Sequence, residues 1–216
     1  MEYTGFLLSL FLNFCSNALI DCLPIGQAII WLEGKKKRIF KLCLFILNIL
    51  VFYIIKTLVV SYTIFMIGIV AYYILISITI IDFKYLVIPD TLNLSLGILA
   101  AFSIILKNVD KSVWNHLLSI PFNFFLIVFI LILEKKTKKE MLGGGDLKLL
   151  ISAGLFLGLR KEIIVVGMSS IVMLLEIMLI KIFLKKKYDG LYPFGPSISF
   201  SIMLVYLLGN SQYHLF

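Results

Sequence analysis

Long apolar runs, each stopped by charge, proline or glycine, follow one another along this chain. They fall at about 4–20, 40–60, 62–81, 91–106, 114–133, 147–159, 163–184 and 194–209. A helix needs about 20 apolar residues to cross the hydrocarbon of a bilayer. The pattern predicts an all-α, polytopic membrane protein with about eight transmembrane helices, the fourth, sixth and eighth rather short. Short spans are accommodated where the bilayer thins or the helix begins at the interface. No internal repeat stands out, and no pair of matching broken helices marks the two halves of an inverted-repeat transporter.

The charged residues between the runs test the count. The segments that follow odd-numbered spans hold Lys35, Lys36, Lys37, Arg38, Lys41, Lys84, Lys135, Lys136, Lys138, Lys139, Lys148, Lys181, Lys185, Lys186 and Lys187. The other five basic residues are Lys56, Lys107, Lys111, Arg160 and Lys161. Positive residues stay on the cytoplasmic side, so the odd connections are expected in the cytoplasm and both termini outside. This distribution also accounts for the net charge of +8 without nucleic acid as a partner. The lipid bilayer is the partner that the composition asks for. The chain is 61% hydrophobic with a mean hydropathy of +1.07, against about 45–50% apolar for a soluble domain. We expect one membrane domain over residues 1–216. The N-terminal run follows Glu2 rather than a basic cluster and lacks a small-residue cleavage site, so it reads as a retained span.

Two aspartates stand where apolar runs meet water, in Ile81-Asp82-Phe83-Lys84 and in Gly143-Gly144-Gly145-Asp146-Leu147-Lys148. A carboxylate at a span centre costs roughly 2.5–3.5 kcal/mol and less near the interface, so each asks for a reason. Ordinary reasons exist. Asp82 serves as an interfacial charge, and Asp146 as an N-cap at the positive end of a helix. Neither reason explains three consecutive glycines, which allow positive φ and a bare backbone surface against which an extended peptide can lie. If the two carboxyls meet, they cannot both ionise cheaply. One then stays as base and the other as acid near neutral pH, which suits activation of a water against a peptide bond. On the predicted topology both belong to the cytoplasmic edge.

Other candidates are weaker. Asp90 follows Pro89 at a helix start, where a proline suits the first turn and an acid suits the dipole. Glu176 lies inside the seventh apolar run and is expected to face the bundle and pair with a polar group. His116 and His214 are isolated. Cys15, Cys22 and Cys43 form no CxxC pair and no metal-ligand spacing, so no metal and no cofactor is expected. The Lys135–Lys139 cluster is a topology signal that also suits anionic head groups.

At these residues the chain resembles the type IV prepilin peptidases, polytopic GxGD aspartyl proteases. Gly143-Gly144-Gly145-Asp146-Leu147-Lys148-Leu149-Leu150 is similar to the family's GxGDxKLL motif, and Asp82 through Ile88-Pro89-Asp90 to its Asp motif with a (Leu/Ile)-Pro-Asp turn. Tyr192-Pro193-Phe194-Gly195-Pro196 resembles the Pro-Phe-Gly-Pro signature entering the last span. The likeness is strong over 62–209, the expected catalytic core. It is weaker over the reduced 1–60 region, at Leu10-Phe11-Leu12-Asn13, Leu23-Pro24-Ile25 and Trp31-Leu32-Glu33-Gly34-Lys35. Bifunctional members carry a cytoplasmic loop with two CxxC pairs and a following glutamate, associated with methylating the new pilin N-terminus. Here the loop is short, 21–39, and Lys41-Leu42-Cys43-Leu44 stands where that glutamate is expected. The resemblance therefore carries over proteolysis and not methyl transfer.

What it implies is a membrane aspartyl endopeptidase of the cytoplasmic (inner) membrane, removing a short basic leader from a prepilin or pseudopilin. Asp82 and Asp146 would be the catalytic dyad. Gly143, Gly144 and Gly145 would hold Asp146 in an irregular turn and admit the extended substrate, and Lys148 would bias the dyad or face head groups. Two alternatives remain open. An archaeal-type preflagellin peptidase shares the dyad and usually lacks the cysteine loop. A proton- or ion-coupled transporter would instead place its carboxylates near the bilayer midplane.

Overall fold

The computed structural model describes residues 35–59, 61–106, 113–138, 142–184 and 192–210. The expected span at 4–20, most of the 21–39 loop, Cys15, Cys22 and His214 lie outside these residues, as do the N-terminal motifs up to Gly34. Every element among the described residues is an α-helix: α1 (Lys35–Leu58), α2 (Tyr62–Tyr85), α3 (Asp90–Ile105), α4 (Val113–Leu117), α5 (Ser119–Thr137), α6 (Gly144–Leu157), α7 (Leu159–Leu184) and α8 (Gly195–Gly209).

The apolar runs locate these helices, while the charged residues do not end them. Where a loop was expected up to residue 39, α1 already begins at Lys35, and α2 runs past Asp82 to Tyr85. Lys and Arg are good helix formers and a terminal charge leaves the backbone ladder intact, so the polar ends simply extend the coil. The run expected at 114–133 is divided at Leu118 into α4 and α5. By length and composition, α2 and the joined stretch Val113–Thr137 can cross a membrane, and Phe45–Leu58, Asp90–Ile105 and Gly195–Gly209 are shorter apolar helices.

The most extensive packing joins α3 to α6, α2 to α8 and α7 to α8, with α6 also touching α5, α7 and α8. Hydrophobicity cannot select partners among helices that are apolar all round, so close steric fit and buried polar contacts do. Tyr206 on α8 stacks on Phe156 of α6 at 5.2 Å and donates its hydroxyl to Ile64 O at 2.6 Å. Its ring lies where a side chain at Gly68 would be: a Cβ there would sit 2.8 Å from Cε1. Tyr72 donates to Asn48 Oδ1 at 2.7 Å and ties α1 to α2.

At the end of α6 away from Asp146, polar groups replace this packing. His116 Nδ1 pairs with Leu155 O, Ser119 donates to His116 O, and Asn123 donates to Ser119 O. Glu162 is fully buried against the bare backbone of Gly154, and neither of its oxygens has a well-formed hydrogen-bond partner among the described residues. It precedes the apolar run that starts at Ile163. Burial pushes its carboxyl from 4.5 up to about 8, opposed in part by the Asn123 side chain. The folded protein therefore holds a proton that the unfolded chain releases above its ordinary carboxylate range. The stability this proton contributes is full below about pH 4.5 and is lost as pH rises through about 8. Glu162→Gln should flatten the fall in melting temperature between pH 5 and 9 and raise it by several degrees at pH 8. Parallel melting curves for the two proteins would refute this.

Candidate active site

Four segments meet at the other end of α6. Asp82 lies in the last turn of α2, just past the apolar run that stops at Ile81. The chain then turns at Leu86, a non-glycine residue with φ 54° and ψ 35°, whose N–H closes the helix on Asp82 O at 3.0 Å. A left-handed residue after the last turn is a common way to end a helix, although glycine usually fills it. The reversal sends Ile88 inward, 5% exposed, and Pro89 opens α3 with its fixed φ of −63°.

Ile88 is the wedge between the other two segments. A Cβ on Gly145 would lie 3.1 Å from Ile88 Cβ and 3.4 Å from its backbone nitrogen. A Cβ on Gly195 would lie 3.1 Å from Ile88 Cδ1 and 2.7 Å from Asp82 Oδ2. The start of α6 and the start of α8 thus close on one side chain from two directions. Gly195 N–H, at the open N-terminus of α8, donates to Asp82 Oδ2 at 2.8 Å. This contact joins residues 113 apart in sequence and leaves Asp82 only 4% exposed.

Asp146 is the third residue of α6, not its cap. Gly143 holds the cap position in an extended conformation, φ −66° and ψ 145°, and Asp146 N–H donates to Gly143 O at 3.0 Å. The irregular glycine turn expected here is absent, since Gly144 and Gly145 are helical and only Gly158 among the described glycines has positive φ. What Gly145 supplies is its missing side chain, which lets Ile88 approach. Asn93 Nδ2 reaches Gly145 O at 3.4 Å, and Ser152 donates to Asn93 O at 2.9 Å, so α3 holds the glycine segment in place.

Asp82, Asp146 and the three glycines line one cavity of about 940 Å³, together with Leu86–Asp90, Lys148, Ser170, Met173, Leu174 and Tyr192–Phe194. One oxygen of Asp146, Oδ1, is buried without a hydrogen-bond partner among the described residues. Asp146 stands before the apolar run of α6. Burial first, and the charge of Asp82 second, push its carboxyl up to about 7, with the Gly143 backbone hydrogen bond opposing. The charge of Asp82 thus reaches Asp146 across the cavity that both line, and each disfavours ionisation of the other. Among the described residues no three His, Cys, Asp or Glu side chains are grouped to hold a metal ion.

Lys148 points to Asp90, with Nζ 2.7 Å from Oδ1 and both side chains more than half exposed. The pair joins α6 to α3 at the rim, so Asp90 does more than favour the helix dipole. An exposed pair of this kind is worth roughly 0–1 kcal/mol, and Lys148→Met should change melting temperature by no more than a degree or two. A fall of ten degrees would show that the rim pair holds the site together. Glu176 accepts the hydroxyl of Ser197 at 2.9 Å, the polar partner expected of it. Asn93 and Ser197 have no signal in the sequence, and Ile88 is visible there only as part of the turn before Pro89. Asn and Ser are ordinary in apolar helices, and only the fold gives these residues their neighbours.

The sequence pattern of the type IV leader peptidase family matches residues 69–178, slightly more than half of the chain and a stretch that includes both aspartates. The chain is also similar to the prepilin leader peptidase/N-methyltransferase of Vibrio cholerae serotype O1, 27% identical over 137 residues. That alignment takes in 62% of this chain and 53% of the relative, so the chain spans about half the length of the curated relative it matches. No solved structure matches it. With the family's pattern running from α2 into α7 and enclosing the cavity end of α6, this chain belongs to the type IV leader peptidase family.

Proposed function

We propose that the protein is an integral-membrane aspartic endopeptidase of about eight spans that removes a short basic leader from a pilin-like membrane protein at the cytoplasmic face. The observation that carries this reading is that Asp82 and Asp146 line one cavity, where Asp146 Oδ1 is buried without a hydrogen-bond partner among the described residues; burial and the charge of Asp82 push the Asp146 carboxyl up to about 7. A pair that keeps one proton at neutral pH is equipped as base and acid at once. The ionised member takes a proton from water while the resulting hydroxide attacks the scissile carbonyl carbon. The protonated member gives its proton to the carbonyl oxygen, forming a neutral gem-diol. Return of a proton from the diol to the pair, and protonation of the leaving nitrogen, break the C–N bond and restore the starting state.

The cavity wall fits such a substrate. The bare backbone of Gly144, where a Cβ would meet nothing within 4 Å, leaves room for an extended leader, and Lys148 lies at the same rim. On α7, Leu174 reaches the cavity while Ile171, Leu175 and Met178 continue an exposed apolar face beside it. A substrate helix lying in the bilayer can dock on that face and leave its leader near the basic cytoplasmic loops. Methyl transfer is not proposed, because the chain lacks the paired cysteines that accompany it.

The test is co-expression with leader-bearing pilin-like proteins of the host, followed by mass spectrometry of their N-termini. The expected product is a shortened chain with an unmethylated new N-terminus. If none is shortened, and reconstituted protein instead gives a pH-dependent ion flux, the transporter alternative replaces this reading.

A further inference from the structure

Between Glu162 and Lys181 the only charged residue of α7 is Glu176. A carboxylate in such a run is costly unless it is held by a polar group. Its partner is Ser197 Oγ, which donates to Glu176 Oε2 at 2.9 Å from the first turn of α8 and is completely buried. Two residues earlier in the same turn, Gly195 N–H donates to Asp82 Oδ2. The N-terminus of α8 is therefore held by two carboxylates, Glu176 from α7 and Asp82 from α2. Gly195 and Pro196 offer no side-chain hydrogen bond that could anchor the turn instead.

We infer that Glu176 is a positioning residue for Asp82: by accepting the Ser197 hydroxyl it seats the first turn of α8, and the seated turn aims the Gly195 N–H at Asp82. This rests on the proposed peptidase reading for its importance to catalysis, although the contact itself does not. A backbone N–H favours the charged form of the carboxylate it meets, so loosening the turn makes Asp82 hold its proton to higher pH. The other ionisable groups at the cavity are Asp146 of α6 and Tyr192, with Asp90 and Lys148 paired at the rim.

The experiment is labelling of Asp82 by dicyclohexylcarbodiimide, which adds to protonated carboxyl groups, read peptide by peptide by mass spectrometry from pH 5 to 9. It is done on wild type, Glu176→Gln, Glu176→Ala, Ser197→Ala and the double alanine variant. Each single alanine variant should move the Asp82 labelling midpoint upward by about half a pH unit or more, and the double variant no further, because both break the same link. Glu176→Gln keeps an acceptor for the hydroxyl and should leave the midpoint near that of wild type. In cleavage, the alanine variants should lose about tenfold in kcat with KM little changed. Ser197→Ala removes a single oxygen and keeps the test valid if Glu176→Ala fails to fold. An unchanged midpoint in folded Ser197→Ala, or additive shifts in the double variant, overturns the inference. A shift in labelling without any cleavage by wild type would sink the peptidase reading and leave the positioning role standing.

Discussion

Asp82→Asn and Asp146→Asn should each lower leader cleavage by at least about a thousandfold, the upper part of the range for loss of a positioned acid or base. Asparagine keeps the size and polarity of the side chain. At position 82 its oxygen still accepts the Gly195 N–H, so the contact that joins α2 to α8 survives. At position 146 the helix start is set by Gly143, which the substitution does not touch. What both variants lose is a carboxyl able to pass a proton. The double variant should be no slower than either single one, because residues acting as one unit do not contribute separately. Cleavage by folded Asp146→Asn within tenfold of wild type would remove it from the chemistry.

The second large effect is expected at a residue that passes no proton in the proposed reaction. Gly195→Ala places a methyl group 2.7 Å from Asp82 Oδ2 and 3.1 Å from both its Cγ and Ile88 Cδ1. Such separations are well inside van der Waals contact, so the carboxylate or the start of α8 must move. Displacement of a reacting group by about 1 Å can cost on the order of a hundredfold in rate, and that loss is expected here. Gly167 on α7 provides the comparison. A Cβ there meets nothing within 4 Å, and Gly167→Ala should cleave as wild type does and melt no lower. Equal activity of the two alanine variants would mean that Asp82 tolerates crowding and that its bond to Gly195 does not set its place.

The helices were legible because a segment that is apolar on all sides has few alternatives to a helix. Their ends were not, because the charges at Lys35 and at Asp82 to Tyr85 extend a helix as readily as they stop one. The two aspartates stood out as carboxylates at the ends of apolar runs, one beside three glycines and both in motifs of a known family. The work of the glycines was misjudged. Sequence shows that glycine permits unusual φ, whereas Gly145 and Gly195 matter for what they leave vacant, and that depends on Ile88 and Asp82 arriving beside them. The links from Lys148 to Asp90, from Asn93 to Gly145 and from Ser197 to Glu176 bridge 58, 52 and 21 residues, beyond the reach of any local pattern.

The shared proton is tested most directly by the rate of leader cleavage by reconstituted wild type between pH 5 and 9. In the proposed mechanism the competent form of the pair carries one proton, and the upper loss of that proton is expected at about 7, where burial and the charge of Asp82 push Asp146. Cleavage should therefore be near its maximum below this value and fall as pH rises through it, reaching about a hundredth of that maximum two units higher. A rate that stays level or climbs from pH 7 to 9 would contradict a dyad working by one shared proton.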